Sequence, residues 1–151
     1  MNLHGIGYSK LIGVLSDGQA LPNAGAADST NMVDISGRTG GRMYIGVYAN
    51  NAVEIATGQA FSIELQAFTA DTAASAVAPF SSESVLEPAH YYPLYKTSAD
   101  AALAWIAGEL ITEIPVPENM LGLMSYDFVQ LVYTTDADES DDDVDAFVYY
   151  R

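Results

Sequence analysis

The sequence predicts an all-β protein, a jelly-roll-like antiparallel β-sandwich of about eight strands. One observation behind this prediction is that most hydrophobic segments alternate apolar and polar residues, as strands with one buried face do. The other is that clusters of Gly, Pro, Asn and Asp separate these segments. At 151 residues the chain fits one domain, and no internal repeat or linker divides it. We therefore expect a single domain over residues 1–151, whose residues 1–14 form an N-terminal arm, extended or bound to a partner.

The strand candidates follow in chain order. The first two are residues 31–36 and 43–48, and a glycine-rich turn separates them. Residues 61–68 give the clearest strand, because one face carries the apolar Phe61, Ile63, Leu65 and Ala67 and the other carries the polar Ser62, Glu64 and Gln66. Further candidates are residues 84–86, 109–116, 126–134 and 144–150. We expect the last two to pair as a β-hairpin.

One segment departs from the strand pattern. Residues 97–107 begin with a helix-capping arrangement from Thr97 to Asp100, continue with an alanine-rich body, and end before Gly108. A short helix or a compact loop insert is expected there.

The charge excludes several classes of partner. Twenty acidic residues against five basic ones give a formal net charge of −15, which repels phosphate backbones and anionic lipid surfaces. The longest apolar runs, such as residues 101–107, fall far short of the ~20 residues of a membrane helix. We expect no nucleic-acid partner and no membrane partner.

Acidic residues are concentrated in an acidic segment, residues 136–145, which holds seven of them. A solvated loop is the expected structure, and a weak calcium site is the alternative. The EF-hand spacing is not met, because Asp141 stands where glycine is required and Phe147 where the closing glutamate is required. No metal ligands are predicted.

Catalytic groups are scarce. The chain has no cysteine, its two histidines are His4 and His90, and it has neither a nucleophile-elbow pattern nor a phosphate-binding glycine loop. The best catalytic candidate is a carboxylate pair, Glu109 and Glu113, of the kind glycosidases use, and such pairs arise by chance in an acidic chain. We predict no catalytic residue, no cofactor and no enzymatic activity.

The two C-terminal strand candidates are apolar on both faces, which a two-layer sandwich does not require at a water-facing surface. Either a third element or another subunit should cover the second face, and subunit contact is the preferred explanation. Tyrosine, with ten copies, is a residue that interfaces favour. The predicted contact residues are Tyr44, Tyr48, Tyr126, Phe128, Val129, Tyr133, Phe147, Tyr149 and Tyr150. Arg38, Arg42 and Arg151 are candidates for ion pairs across such a contact.

A second aromatic group suggests a different function. Tyr91, Tyr92, Tyr95 and Trp105 could provide stacking platforms for sugar rings, which makes a carbohydrate-binding or receptor-binding sandwich module the alternative function.

Several stretches, in order along most of the chain, resemble the jelly-roll cement, or decoration, proteins of tailed bacteriophage capsids. They are LSDGQAL (15–21), STNMVDI (29–35), FSIELQA (61–67), APFSS (78–82), GELI (108–111) and PVP (115–117). The chain departs from that pattern at residues 90–107, which form an aromatic insert, and in the extended acidic segment.

This resemblance implies a structural virion protein on the outer surface of the capsid, made in the host cytoplasm. Its partners would be the major capsid protein and copies of itself, as a dimer or trimer. It would bind the outside of the capsid lattice and stabilise the mature head.

Overall fold

A computed structural model describes residues 11–35, 42–68, 91–98, 101–116 and 128–151. Within these ranges the chain forms strands and no helix, and so no helix long and apolar enough to cross a membrane. The eleven strands described are β1 (Leu11–Ala20), β2 (Asn23–Asp28), β3 (Val33–Asp34), β4 (Met43–Ala49), β5 (Val53–Ile55), β6 (Ala60–Phe68), β7 (Tyr91–Ser98), β8 (Leu103–Trp105), β9 (Leu110–Pro115), β10 (Phe128–Asp138) and β11 (Asp143–Tyr150).

The strands form a sandwich of antiparallel sheets. The first sheet has the order β1-β11-β4-β9, and the second has the order β2-β10-β6-β7 with β3 also paired to β10. Strands β5 and β8 form a separate, small sheet. This order, in which the first and last long strands are neighbours and the chain repeatedly changes sheet, is that of a jelly roll. The predicted all-β antiparallel sandwich is confirmed.

The hydrophobic core lies between the two large sheets because alternate residues of each strand point inward. Ile45 and Val47 of β4 meet Phe61 and Ile63 of β6 in one fully buried cluster. The predicted inward face of residues 61–66 is therefore confirmed. A buried hydrogen bond of 2.9 Å between the hydroxyls of Ser16 and Tyr133 also joins the sheets, which satisfies two polar groups that burial would otherwise penalise.

The prediction of a C-terminal hairpin is wrong. Strand β10 pairs with β2, β3 and β6 in the second sheet, whereas β11 pairs with β1 and β4 in the first. The acidic segment consequently comprises the end of β10, the connection between the two sheets at residues 139–142, and the start of β11. Periodicity identified both strands. It did not show that each of them pairs on both edges with strands that are distant in sequence.

The short helix or compact loop insert expected at residues 97–107 is corrected, because Thr97 and Ser98 end β7 and Leu103–Trp105 is a strand. Its side chains alternate inward and outward, and inward burial of Leu103 and Trp105 outweighs the helix propensity of the alanines. Residues 11–14, which we expected in an N-terminal arm over residues 1–14, belong to β1 and pair with β11. The strand predicted at residues 84–86 lies outside the described residues, as do His4 and His90.

Candidate interaction surface on the first sheet

The outer face of β11 is apolar, as the sequence predicts, yet it is buried within the single chain. Phe147 is 0% exposed and Tyr149 is 6% exposed, although both alternate with core residues such as Val148. A second subunit is not required to cover them. The chain itself therefore buries these two side chains, and subunit contact at this face stays a prediction.

Gly46 makes room for the aromatic rings on this face. It lies directly opposite Phe147 in the register of β4 with β11. A Cβ at this position would come within 2.8 Å of Cε2 of Tyr48 and 3.1 Å of Cε1 of Tyr149. Glycine is therefore needed so that tyrosine rings from two strands can lie across β4.

Four aromatic side chains form what we call the tyrosine face: Tyr44, Tyr48, Phe147 and Tyr149. The rings of Tyr44 and Tyr149 stack with centroids 6.3 Å apart, and those of Tyr48 and Phe147 are tilted with centroids 6.2 Å apart. Both distances fall in the range where aromatic pairs attract beyond simple area burial. Tyr44 and Tyr48 remain partly exposed and present the accessible part of this face.

Two charged residues complete the face. The guanidinium of Arg151 lies 5.3 Å from the ring centroid of Tyr44, within cation–π range. The Glu113 carboxylate accepts hydrogen bonds from the Tyr149 hydroxyl and from Arg151. Arg151 was a candidate for a pair across subunits, and it pairs within its own chain. Because its side chain is exposed, this ion pair contributes little to folding stability.

Two phenols on this face, those of Tyr48 and Tyr149, have a raised pKa. Burial raises the pKa of Tyr149, and the hydrogen bond to Glu113 raises it further. Burial also raises the pKa of Tyr48, although its hydrogen bond with Tyr149 acts in the opposite direction. The hydroxyls of Tyr48 and Tyr149 are therefore neutral and lie on the same face as one arginine and one glutamate.

The structure brings four of the nine predicted contact residues together in the tyrosine face. Val129 and Tyr133 point inward from β10 and are fully buried, so these two are core residues and not contact residues. Tyr150 packs against the core, and Phe128 is partly exposed on the second sheet. Tyr126 lies outside the described residues. Sequence reasoning missed Gly46, because only the register shows which residue faces Phe147.

The acidic segment is not the fully solvated loop expected. Asp145 is 0% exposed, and its carboxylate accepts a 2.7 Å hydrogen bond from the amide of Gly18, at a bulge of β1 where φ is +57°. Asp136 accepts a hydrogen bond from the amide of Ala60, and Asp142 accepts one from the amide of Glu54. These carboxylates anchor neighbouring backbone.

No cation centre is found in the described residues, since nowhere in them do three acidic or histidine side chains converge to hold a metal ion. The Glu109 carboxylate accepts a hydrogen bond from the amide of Ile106, and the Glu113 carboxylate accepts one from the hydroxyl of Tyr149. Each of the two carboxylates thus has a structural partner. Trp105 packs partly against the core, and the side chains of the three β7 tyrosines lie outside the described part.

No protein-family model matches the chain, and no match is found among curated proteins. The fold therefore defines the class, a jelly-roll β-sandwich with an aromatic outer face.

Proposed function

We propose that this chain is a structural virion protein that binds the outside of a tailed-bacteriophage capsid lattice and stabilises the mature head. The observation that carries the proposal is the tyrosine face, an aromatic surface with Arg151 and Glu113 on the outer side of a jelly-roll sheet. Tyrosine and arginine are the side chains that most often dominate the affinity of protein interfaces.

The charge of the chain supports the same proposal. A net charge of −15 disfavours direct contact with packaged DNA and suits a subunit on the outer surface. The partly exposed ring of Tyr44 packs against Tyr149 and Arg151, and that of Tyr48 packs against Phe147, so little side-chain entropy is lost on binding. The major capsid protein is the proposed partner, and the sequence resemblance is the reason for choosing it.

The proposal can be tested by mixing the purified chain with expanded, undecorated capsid shells and counting the bound copies after sedimentation. We expect saturable binding at a fixed number of copies per shell. The double variant Tyr44→Ala/Tyr48→Ala should bind at least about tenfold more weakly, because truncating central interface tyrosines typically costs ~2 kcal/mol or more.

Phe128→Ala is the matched control, since it truncates a partly exposed aromatic side chain on the opposite sheet. It should bind shells as the parent does. If the parent chain does not bind shells, the proposed function is wrong. If Phe128→Ala is impaired and the double tyrosine variant is not, the second sheet, and not the tyrosine face, is the docking surface.

A further inference from the structure

The small sheet has one buried face and one exposed face. Val53 and Ile55 of β5 are fully buried, and Leu103 and Trp105 of β8 pack beside them against the core. Ala104 alternates with these residues and is exposed on the other face. One face of the small sheet therefore packs against the core, and the other face is exposed.

The hydrogen bonding of β5 shows to which side of β8 the backbone N–H and C=O of Ala104 point. Glu54 lies directly opposite Ala104 in the antiparallel register, and its amide donates away from β8, to Oδ2 of Asp142 at 2.9 Å. Opposed residues in an antiparallel pair either bond to each other or both point outward. The Ala104 N–H and C=O therefore point away from β5, toward the outer edge of β8.

The two outer edges of the small sheet differ. Asp142 supplies an oxygen acceptor to the β5 edge. Among the described residues no backbone hydrogen bond reaches Ala104 from outside the sheet, and β8 has β5 as its one strand partner. The β8 edge thus presents one donor and one acceptor of the kind that an added strand uses.

Exposed apolar side chains lie next to this edge. Within the described part of the chain, the exposed large hydrophobic residues are Ile106, at 74%, and Leu110, at 43%. Ile106 belongs to the connection that follows β8, two residues beyond Ala104, and Leu110 is the first residue of β9. An incoming strand could pack an apolar side chain on Ile106 while its backbone bonds Ala104.

The negative charge around the outer edge of β8 favours a basic binding partner. Glu54 is exposed opposite Ala104, and Asp141, Asp142 and Glu109 lie in the neighbouring turns. A residue added opposite Ala104 would lie two strand spacings, about 9.6 Å, from Glu54, within reach of a lysine or arginine side chain across the small Ala104. A second copy of this chain would instead bring like charges together.

We propose that an extended, basic segment of another protein docks on the outer edge of β8 as an added strand. Its backbone would bond the N–H and C=O of Ala104, an apolar side chain would cover Ile106, and a basic side chain would face Glu54. This site is distinct from the tyrosine face and does not depend on it.

The test is an NMR titration of the full-length ¹⁵N-labelled chain with a blocked nine-residue peptide in which lysine and valine alternate along one strand face and threonine occupies the other face, because Ala104 and Ile106 lie two residues apart. We expect shifts at the amides of Ala104 and Ile106, with slower solvent exchange at Ala104. The same peptide with glutamate in place of lysine should not bind. Absence of binding up to about 1 mM, near the weak end of specific affinity, overturns the proposal, as do shifts confined to the acidic segment.

Two proline variants make the test specific. Ala104→Pro removes the outward donor and leaves the β5 pairing, so it should weaken peptide binding about tenfold or more. Ala107→Pro is the control, because it stands at the second position of a turn, where proline is favoured. Equal affinity in both variants would overturn the proposal. So would concentration-dependent shifts at Ala104 without peptide, which would identify a second copy as the occupant.

The same variants separate this inference from the proposed function. If the parent chain and Ala104→Pro bind shells equally, the capsid contact does not involve the β8 edge. The peptide titration alone then shows whether an added strand binds at Ala104. If the parent binds no shells but the lysine peptide binds at Ala104, the proposed function fails and the edge site stands.

Discussion

The two connections that contain β5 and β8 have the same turn but different surroundings. The amide of Gln59 donates to the carbonyl of Ala56 at 3.1 Å, and the amide of Glu109 donates to that of Ile106 at 3.0 Å. In each turn the side chain of the last residue accepts a hydrogen bond from the amide of the first. Two stretches fifty positions apart thus fold in the same way locally.

Glycine explains the shared geometry, and position in the sandwich explains the difference. Gly58 and Gly108 have φ of +84° and +86° at the third position of their turns, as a type II turn requires. Val53 and Ile55 before the first turn are fully buried, whereas Leu103 and Trp105 before the second are only partly buried. Local sequence selects the turn, and the neighbouring elements decide how deeply the strand before it is packed.

The largest expected effect on the free energy of unfolding comes from the unequal burial of β5 and β8. Ile55→Ala should lower the free energy of unfolding by about 3 kcal/mol, because a fully buried side chain leaves a cavity. Leu103→Ala should cost about half as much, since Leu103 is only partly buried. Urea denaturation of both variants measures the difference. Equal losses would mean that β8 is as deeply packed as β5.

The shared turn geometry predicts equal effects at its two glycines. Gly58→Ala and Gly108→Ala should each lower the free energy of unfolding by about 1 kcal/mol, because a Cβ is strained at positive φ. Gly25→Ala is the control, since Gly25 lacks a positive φ and its nearest neighbouring atom is 3.9 Å from an added Cβ. Thermal unfolding should show two equal losses and an unaffected control; a large difference between the two turns would contradict the shared geometry.

The hydrogen bond between Asp142 and the Glu54 amide, which caps the edge of β5, can be removed by mutation. Asp142→Ala leaves the Glu54 amide without its acceptor and should cost about 1 kcal/mol in urea denaturation. Asp142→Asn keeps an acceptor oxygen and removes a carboxylate whose pKa is raised, first by burial and then by nearby acids. It should therefore be at least as stable as the parent. A loss in Asp142→Asn as large as that in Asp142→Ala would show that the charge, and not the hydrogen bond, holds the edge.

The acidic segment beside β5 gives the smallest expected effect. Burial, together with the charges of Asp142, Asp138 and Asp136, raises the pKa of Glu139. A raised pKa means that the folded chain holds this proton more tightly than the unfolded chain. The contribution of Glu139 to stability therefore improves as pH falls from neutral through the raised pKa toward the ordinary carboxyl range.

Glu139→Gln should accordingly raise the free energy of unfolding at pH 7 by about 0.5 kcal/mol. The advantage over the parent should shrink as the pH is lowered toward 4.5, the ordinary pKa of this carboxyl group. Urea denaturation at several pH values measures it. An advantage that grows on acidification would mean that Glu139 is favourably paired in the folded chain.

Sequence patterns predicted several parts of the fold and site correctly. Alternation placed Phe61 and Ile63 on the core face and showed that β11 is apolar on both sides. Aromatic content selected Tyr44 and Tyr149, which lie together. These features depend on residues a few positions apart, so the two-residue period of a strand is enough to predict them.

The sequence by itself determined the fold class, the negative charge and the inward-facing residues of the long strands, because composition and short-range periodicity control them. Only the tertiary structure decided that β10 and β11 belong to different sheets, that Asp145 is buried at the amide of Gly18, and that the β8 edge has no strand on its outer side among the described residues. These outcomes depend on pairings between residues far apart in sequence, such as Leu11 with Tyr149 and Gly18 with Asp145. Such pairings are selected by the burial and hydrogen bonding of the whole sandwich, which no local pattern contains.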